Sequence, residues 1–510
     1  MDIHIFIITL WVLIIPGDLS DCGHVKSFLN CNKRFPKKKY RPFYHITTPD
    51  GWISNPTGFT FYERQYHIFF QYFPYNGAWN HMSWGHAVSE NLIDWIHFPT
   101  ALMPKDHYDS HGCLAGCALV YKHMLTLFYT GNVVSGRESF QTQNIAISGD
   151  GMYFQKYLYN PIIRESTSGI REFRNPKVWR FRNVWYMIVG TTSSESSGQL
   201  VLYTSGDMFN WELNGTLVNS YGDMGYMWEN PDLFELDGYH VLILSAQGIQ
   251  PDSWRFRNLY QTGYILGNFN YIKGQFDDME VSIATFHQLD YGHDFYTVKT
   301  MRAKDGRRLL IGWLGTWDTD FIESTFGWAS MLTMVRELRI NKNGRILMTP
   351  VEEIIQLRGE LIENAWYKPG EYFQAESKSF ELIVNSTSVF LDVEIIFEWK
   401  YGGLTIGYSA EHGFISIDRG GIDGVRRAYW SPIDYVHLRI FVDSSSIEVF
   451  CGDGDVVFSS RIYPNQMRIR IAGYSEVHIM QYKLRPSIGL NNKLKQHVNN
   501  DLIYNNSYIY

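Results

Sequence analysis

Cysteine is scarce in this chain, five in 510 residues. Five are too few for a disulfide framework, and an odd count leaves at least one thiol free. The fold must rest on a buried core, which a long chain that is 45% hydrophobic can supply. Cys22 and Cys31 are the easiest pair to join; Cys113 and Cys117 share one short predicted strand whose geometry keeps them apart, and Cys451 reads as a buried strand residue. An excess of positive charge is also missing, since 45 Lys and Arg face 52 Asp and Glu, a formal net charge of -7. Such a surface has no basic field for a phosphate backbone, so nucleic acid is not an expected partner. The 17 histidines are dispersed, with no pair at ligand spacing on a helix, and no metal is expected. No glycine-rich loop follows a strand and opens a helix, so nucleotide binding is not expected either. The one long apolar run, 6–15, is too short to span a bilayer and ends before small and polar residues. It reads as a secretory leader cut near Ser20, with a soluble, extracellular product and no membrane anchor. Sequons at Asn214, Asn385 and Asn505 agree with export.

What the chain has in quantity is aromatic: 16 Trp, 34 Tyr and 32 Phe. Such residues fill packed sheets and also form surfaces on which sugars stack. After a basic lead-in at 33–41, read as a solvated arm or a processing site, one pattern repeats. A short strand, a polar turn and a strongly apolar strand recur, the apolar members being 66–72, 125–129, 184–189, 240–245 and 308–313. Five such units predict an all-β, five-bladed β-propeller over 42–340. Three of the five leading strands are introduced by the same dipeptide, at Asn55-Pro56, Asn175-Pro176 and Asn230-Pro231. Proline is tolerated at the first residue of a strand, where its missing N–H costs no ladder bond. If each leading strand is the innermost of its blade, these entrances converge on the mouth of a central channel.

Residues 337–348 read as a hairpin through a two-residue Asn343-Gly344 turn. Thr349-Pro350-Val351-Glu352 then supplies a capping residue, a helix-starting proline and an acidic third position, predicting a short helix to Leu357 within a linker at 341–360. From 361 to 485 apolar and polar residues alternate, as in Leu438, Ile440 and Val442 and then Ile447, Val449 and Cys451 after the turn at 443–446. That pattern predicts a β-sandwich. The Asn-rich tail at 486–510 has little apolar period and reads as loosely attached.

Several stretches carry a resemblance when taken in order: Trp52-Ile53-Ser54-Asn55-Pro56-Thr57-Gly58, Phe70-Gln71-Tyr72-Phe73-Pro74, Trp84-Gly85-His86-Ala87, Phe173-Arg174-Asn175-Pro176-Lys177-Val178-Trp179 and Met227-Trp228-Glu229-Asn230-Pro231-Asp232. Asp290-Tyr291-Gly292-His293-Asp294-Phe295-Tyr296, Ile311-Gly312-Trp313-Leu314-Gly315 and, near the end, Val442-Asp443-Ser444 with Ile447-Glu448-Val449-Phe450 complete the set. The chain from about 41 to 484 resembles the retaining β-fructofuranosidases of glycoside hydrolase family 32. The resemblance implies a sucrose or fructan substrate, no cofactor, and two carboxyl groups about 5–5.5 Å apart as nucleophile and general acid/base. Carried over by position, the acid/base is Glu229, the nucleophile position is Asn55, and the position of an aspartate that steadies the transition state is Asn175. Only the first keeps its carboxylate. Trp52, Gln71, Trp79, Trp84, Leu114, Ala115 and Arg174 fall at sugar-contacting positions. There Leu114-Ala115-Gly116-Cys117 departs from the family's hydroxyl-rich pattern, and Ser54 stands where the family has Asn.

Read without the family, Trp52, Trp84 and Trp228 would serve equally well as packing, and the three Asn-Pro asparagines could simply bond their own turns. Three functional readings follow. One is a secreted relative that binds fructosides with impaired or absent hydrolysis. A second is a working hydrolase with a replacement carboxylate, Asp223 or Asp294. The third is a propeller reused as a structural or protein-binding module. Oligomeric state is open.

Overall fold

The computed structural model describes residues 39–75, 81–136, 138–164, 172–277, 280–422 and 424–489. The leader, Cys22, Cys31, Trp79, Asn505 and most of the basic arm and tail lie outside the described residues.

Five antiparallel four-stranded units follow one another along the chain. Blade 1 is Gly51–Tyr62, Gln65–Phe73, Ser83–Ser89 and Ile96–Leu102; blade 2 is Cys113–Tyr121, Met124–Ser135, Glu138–Ser148 and Gln155–Lys156. Blade 3 is Phe173–Phe181, Val184–Thr192, Gly198–Ser205 and Glu212–Ser220, and blade 4 is Met227–Leu236, Tyr239–Gln247, Tyr260–Gly267 and His287–Gln288. Blade 5 is Tyr296–Arg302, Arg308–Trp313, Arg336–Ile340 and Ile346–Pro350. The first strand of each blade packs against the first strands of its neighbours, and that of blade 5 returns to that of blade 1, closing a ring. Trp328–Ala329, from the blade 5 segment, adds to blade 1 as a parallel partner of Gly51 and Trp52.

The apolar strands run continuously rather than alternating because both faces of each blade are covered. Phe69 and Trp84 of blade 1 meet Leu125 and Leu127 of blade 2, and Phe128 and Ile145 meet Val178 and Met187 of blade 3. Ile188 and Leu200 meet Leu242 and Leu244 of blade 4, and Val241 and Ile243 meet Val298 and Leu310 of blade 5. Ile311 closes the circle on Ile53 and Ile68.

The Asn-Pro dipeptides do not start their strands, as expected from sequence, but lie inside them. Every inner strand carries a register shift at its channel-mouth end, at Ser54/Pro56, Leu114/Gly116, opposite Ile188/Gly190, at Glu229/Asp232 and at Tyr296/Val298. A bulge leaves a residue unpaired, so a proline with no N–H fits there, and it turns neighbouring side chains out of the sheet. Asn175, Asn230 and Thr297 adopt positive φ of 65°, 46° and 43° at these bulges.

The hairpin at 336–350 belongs to blade 5, so its sheet continues to Pro350, past the expected end at residue 340. Its turn spans 341–345, with the Asn341 side chain accepting from the Asn343 and Arg345 amides, not the two-residue turn the Asn-Gly pair suggested. Thr349 and Pro350 pair with Glu337 and Arg336 and cannot cap a helix. The helix that follows is a 3₁₀ turn, Glu352–Leu357, with no side-chain cap.

A sandwich of two six-stranded antiparallel sheets follows, beginning at Arg358 and ending at Leu484. Its core includes Phe380, Ile395, Ile440, Val449 and Ile469. Buried charges join it to the propeller. Asp443 accepts from the Phe43, Tyr44 and His45 amides and from the His45 ring, whose other nitrogen bonds Glu448. Arg336 bridges Asp290 and Glu448. These bonds fix the segment leading into the first inner strand.

Candidate active site

The mouth of the central channel opens as a cavity of about 500 Å³, lined from four blades. Blade 1 contributes Asn55 and Gln71, blade 2 Leu114, Asn132, Val134, Ser139 and Gln141, blade 3 Arg174 and Asn175, and blade 4 Glu229, Gln247 and Tyr260. Glu172 and Trp317 complete the wall. The volume lies within the range of small-molecule sites.

Glu229 is the most heavily bonded group. It is 6% exposed. Its Oε1 accepts from Arg174 Nε at 2.8 Å, and its Oε2 accepts from Gln247 Nε2 at 2.7 Å and from the Tyr296 hydroxyl at 2.8 Å. The other arm of Arg174 bonds Glu172. Burial pulls the Arg174 guanidinium down, but Glu229 and Glu172 outweigh it and hold the group above its ordinary value. Burial, then Glu229, pushes the Tyr296 phenol well above its ordinary range, so it stays a proton donor to the carboxylate.

Amides make up much of the rest of the wall. Asn55 is 3% exposed, and its Oδ1 has no partner within the protein. Asn175 is held through its backbone, whose N–H donates to Thr130 Oγ1 at 2.9 Å, and its Oδ1 accepts from the Asn230 amide at 3.4 Å. With Gln71, Asn132, Gln141 and Gln247, six carboxamides face the space. Each offers both donors and acceptors to a polyol without adding charge.

Of the residues proposed from sequence, Glu229, Asn55, Asn175, Gln71, Leu114 and Arg174 meet in this cavity. Trp52, Trp84 and Ala115 do not line it. Trp52 is packed edge-on to Trp313 and Phe321 and lies parallel to Trp317, which forms the wall in its place. Trp84 is fully buried, and its indole N–H holds the Leu114 carbonyl at 3.0 Å. Ala115 is the buried residue of the blade 2 bulge. Both act on the cavity by placing Leu114.

Asp223 and Asp294 also lie away from the cavity, which corrects their reading as substitute carboxylates. Asp294 is buried between the domains, accepting from Thr319 Oγ1, Arg419 and the Arg461 amide. Asp223 accepts from the Ile283 amide. Among the described residues the cavity wall holds two carboxylates, Glu229 and Glu172. Sequence reasoning missed Gln247, Glu172, Trp317 and Tyr260, and also Asn132, Val134, Ser139 and Gln141 of blade 2. A signal for Gln247 existed, because the second strand of a blade runs antiparallel to the first and its last residue must lie beside the channel mouth, as the Met227–Gln247 pairing shows.

Among the described residues no group of three or more His, Cys, Asp or Glu is arranged to hold a metal ion.

Comparison with known proteins agrees with this architecture. Residues 45–350 match the glycosyl hydrolases family 32 N-terminal domain, and residues 373–484 the family 32 C terminal. A raffinose invertase of Escherichia coli is 34% identical over 449 residues, 83% of this chain and 89% of the relative. A sucrose-6-phosphate hydrolase of Escherichia coli is 34% identical over 470 residues, 87% of this chain and 94% of the relative. Among solved structures, the Bombyx mori GH32 β-fructofuranosidase BmSUC1 is 38% identical with a TM-score of 0.83, covering 91% of this chain and 97% of that one; a mutant of that enzyme has been solved in complex with sucrose. By domain order, fold and sequence, this chain belongs to glycosyl hydrolase family 32.

Proposed function

We propose that the protein binds sucrose or a related β-fructoside in the channel-mouth cavity and hydrolyses it far more slowly than an ordinary family member, if at all. The observation that carries this reading is the charge of the wall: two carboxylates, Glu229 and Glu172, both tied to the same guanidinium, face a surface of amides. A retaining glycosidase needs a nucleophilic carboxylate on the far side of the scissile bond from its acid/base. At the positions that the family resemblance assigns to that carboxylate and to the one that steadies the transition state, Asn55 and Asn175 offer amide oxygens. An amide neither attacks the anomeric carbon effectively nor offsets its developing positive charge. Loss of a sole nucleophile costs on the order of 10⁶ in kcat, about 8 kcal/mol. Binding does not need those charges. Gln71, Asn132, Gln141 and Gln247 can bond sugar hydroxyls, while Leu114, Tyr260 and Trp317 receive apolar ring faces.

In this reading the protein is exported after removal of its leader near Ser20 and acts outside the cell. Titration calorimetry with sucrose and with a fructan, beside a glucose-release assay on the same sample, tests the function. Saturable binding with negligible turnover is expected. Turnover above about 1 s⁻¹ that Glu229→Gln abolishes would establish a working hydrolase; Glu172, as the other carboxylate of the wall, would then be the first residue to replace.

A further inference from the structure

Below the sugar cavity, the inner strands carry a second polar cluster that fructoside binding does not use. Lys177 of blade 3, Asp232 of blade 4, and Lys299 and Thr300 of blade 5 meet there, with Cys117 of blade 2 alongside. Each of Lys177, Asp232 and Lys299 lies two or three residues further along its strand than Asn175, Glu229 and Tyr296, roughly 7–10 Å deeper at about 3.3 Å per residue.

Asp232 is the carboxylate of the cluster. Lys177 Nζ is 2.6 Å from its Oδ1, and the Thr300 amide and hydroxyl donate to its Oδ2 at 3.0 and 2.9 Å. Arg308, on the next strand of blade 5, lies in its field with the guanidinium 4.3 Å from the Phe234 ring centre. Three cations, Lys177, Lys299 and Arg308, thus face one carboxylate. Burial holds the Cys117 thiol above its ordinary value, so it adds no compensating charge.

Lys299 is the group this arrangement leaves unsatisfied. It is 2% exposed, and its Nζ finds no hydrogen-bond acceptor. Arg308 Nε and both side-chain polar atoms of Asn230 are likewise buried without partners. A buried ammonium must find an acceptor, and unsatisfied buried groups in native proteins mark an ordered water or an ion. Water supplies the acceptor but leaves an excess of two positive charges in a low-dielectric channel; an anion supplies both.

We propose that the floor of the central channel binds a small inorganic anion of the halide class, gripped by Lys299 Nζ with Lys177 and Arg308 beside it. Burial lowers the Lys299 amine to about 8, a fall that Asp232 opposes and Lys177 deepens, and an anion beside it would hold the ammonium form.

The test uses the full-length protein. Crystals soaked in bromide are expected to show an anomalous peak in contact with Lys299 Nζ. In solution at fixed ionic strength, exchanging gluconate for chloride is expected to raise the apparent folding constant tenfold for each tenfold chloride above the dissociation constant. Lys299→Met should lose that response, whereas Lys342→Met, on the exposed 341–345 turn, should keep it. The absence of a bromide peak at Lys299 in the unaltered protein, or an equal chloride response in Lys299→Met and the unaltered protein, would overturn the proposal in favour of water or a neutral amine. The bromide experiment decides even if Lys299→Met does not fold.

Discussion

Restoring carboxylates at the channel mouth is the perturbation that most directly tests the chemistry. In the unaltered cavity the formal charges are Glu172, Arg174 and Glu229. The double change Asn55→Asp with Asn175→Asp adds two negative charges against one guanidinium that is already shared. Asn55 Oδ1 meets no protein donor, so a carboxylate there is buried without compensation until substrate arrives, whereas at Asn175 the Asn230 amide can still donate. About 2–4 kcal/mol of stability is expected to be lost over the pair. The catalytic return is larger. If the missing nucleophile withholds about 8 kcal/mol and half is recovered despite Leu114 and Ala115, kcat rises by about 10³. The assay is glucose release from sucrose, with Glu229→Gln in the double-variant background as the blank and urea unfolding of each protein alongside. A rate in the double variant no higher than in the unaltered protein, with the fold and sucrose binding intact, would refute the assignment of Asn55 and Asn175. Turnover in the unaltered protein above about 1 s⁻¹ that depends on Glu229 would refute the claim that the amides silence it.

Tyr296→Phe removes one of the two donors to Glu229 Oε2; urea unfolding should show a loss of about 1–2 kcal/mol, with weaker activity in the double variant. Asp443→Ala leaves three backbone amides and the His45 ring facing an empty acceptor position between the domains, and should cost about 3–5 kcal/mol by the same measurement. His45 gives a pH signature. Burial opposes its charge, but Asp443 and Glu448 outweigh burial and raise it from 6.5 to about 9. A raised folded-state value means its stabilisation is fully present below about 6.5 and is lost as pH climbs through about 9, on the order of 3 kcal/mol in all. Unfolding free energy measured between pH 6 and 10 should therefore fall in the native protein, and this part of the fall should be absent in His45→Gln.

The blades, their number and the sandwich were legible because they depend on local pattern. A strand buried on both faces must be continuously apolar, and a strand buried on one must alternate. The chain therefore shows the change from propeller to sandwich between residues 308–313 and Leu438, Ile440 and Val442. The convergence of Asn55, Asn175 and Glu229 was also readable, because the Asn-Pro motifs recur near the same end of three innermost strands, although the third brings Glu229 rather than Asn230 to the cavity. Local pattern did not reveal that the prolines sit in bulges within the strands, since a bulge is a mismatch in register with a partner strand. Nor did it assign 336–350 to blade 5, because that hairpin's turn says nothing about which sheet its strands join.

What only the tertiary structure decided is which side chains reach the cavity. Trp52, Trp84 and Ala115 have the right neighbours in sequence, yet packing turns them into supports for Trp317 and Leu114. Asp294 sits beside the motif tyrosine Tyr296 but is drawn to Arg419 and the Arg461 amide across the domain boundary. Gln247 and Tyr260 come from the second and third strands of a blade and reach Glu229's cavity only because antiparallel pairing returns the chain to the same edge. The sequence alone determined the type of residue available at each position, and with it the charge the protein can place. The distance between any two of those charges depended on sheet register and blade packing, which are set by contacts between residues far apart in the chain.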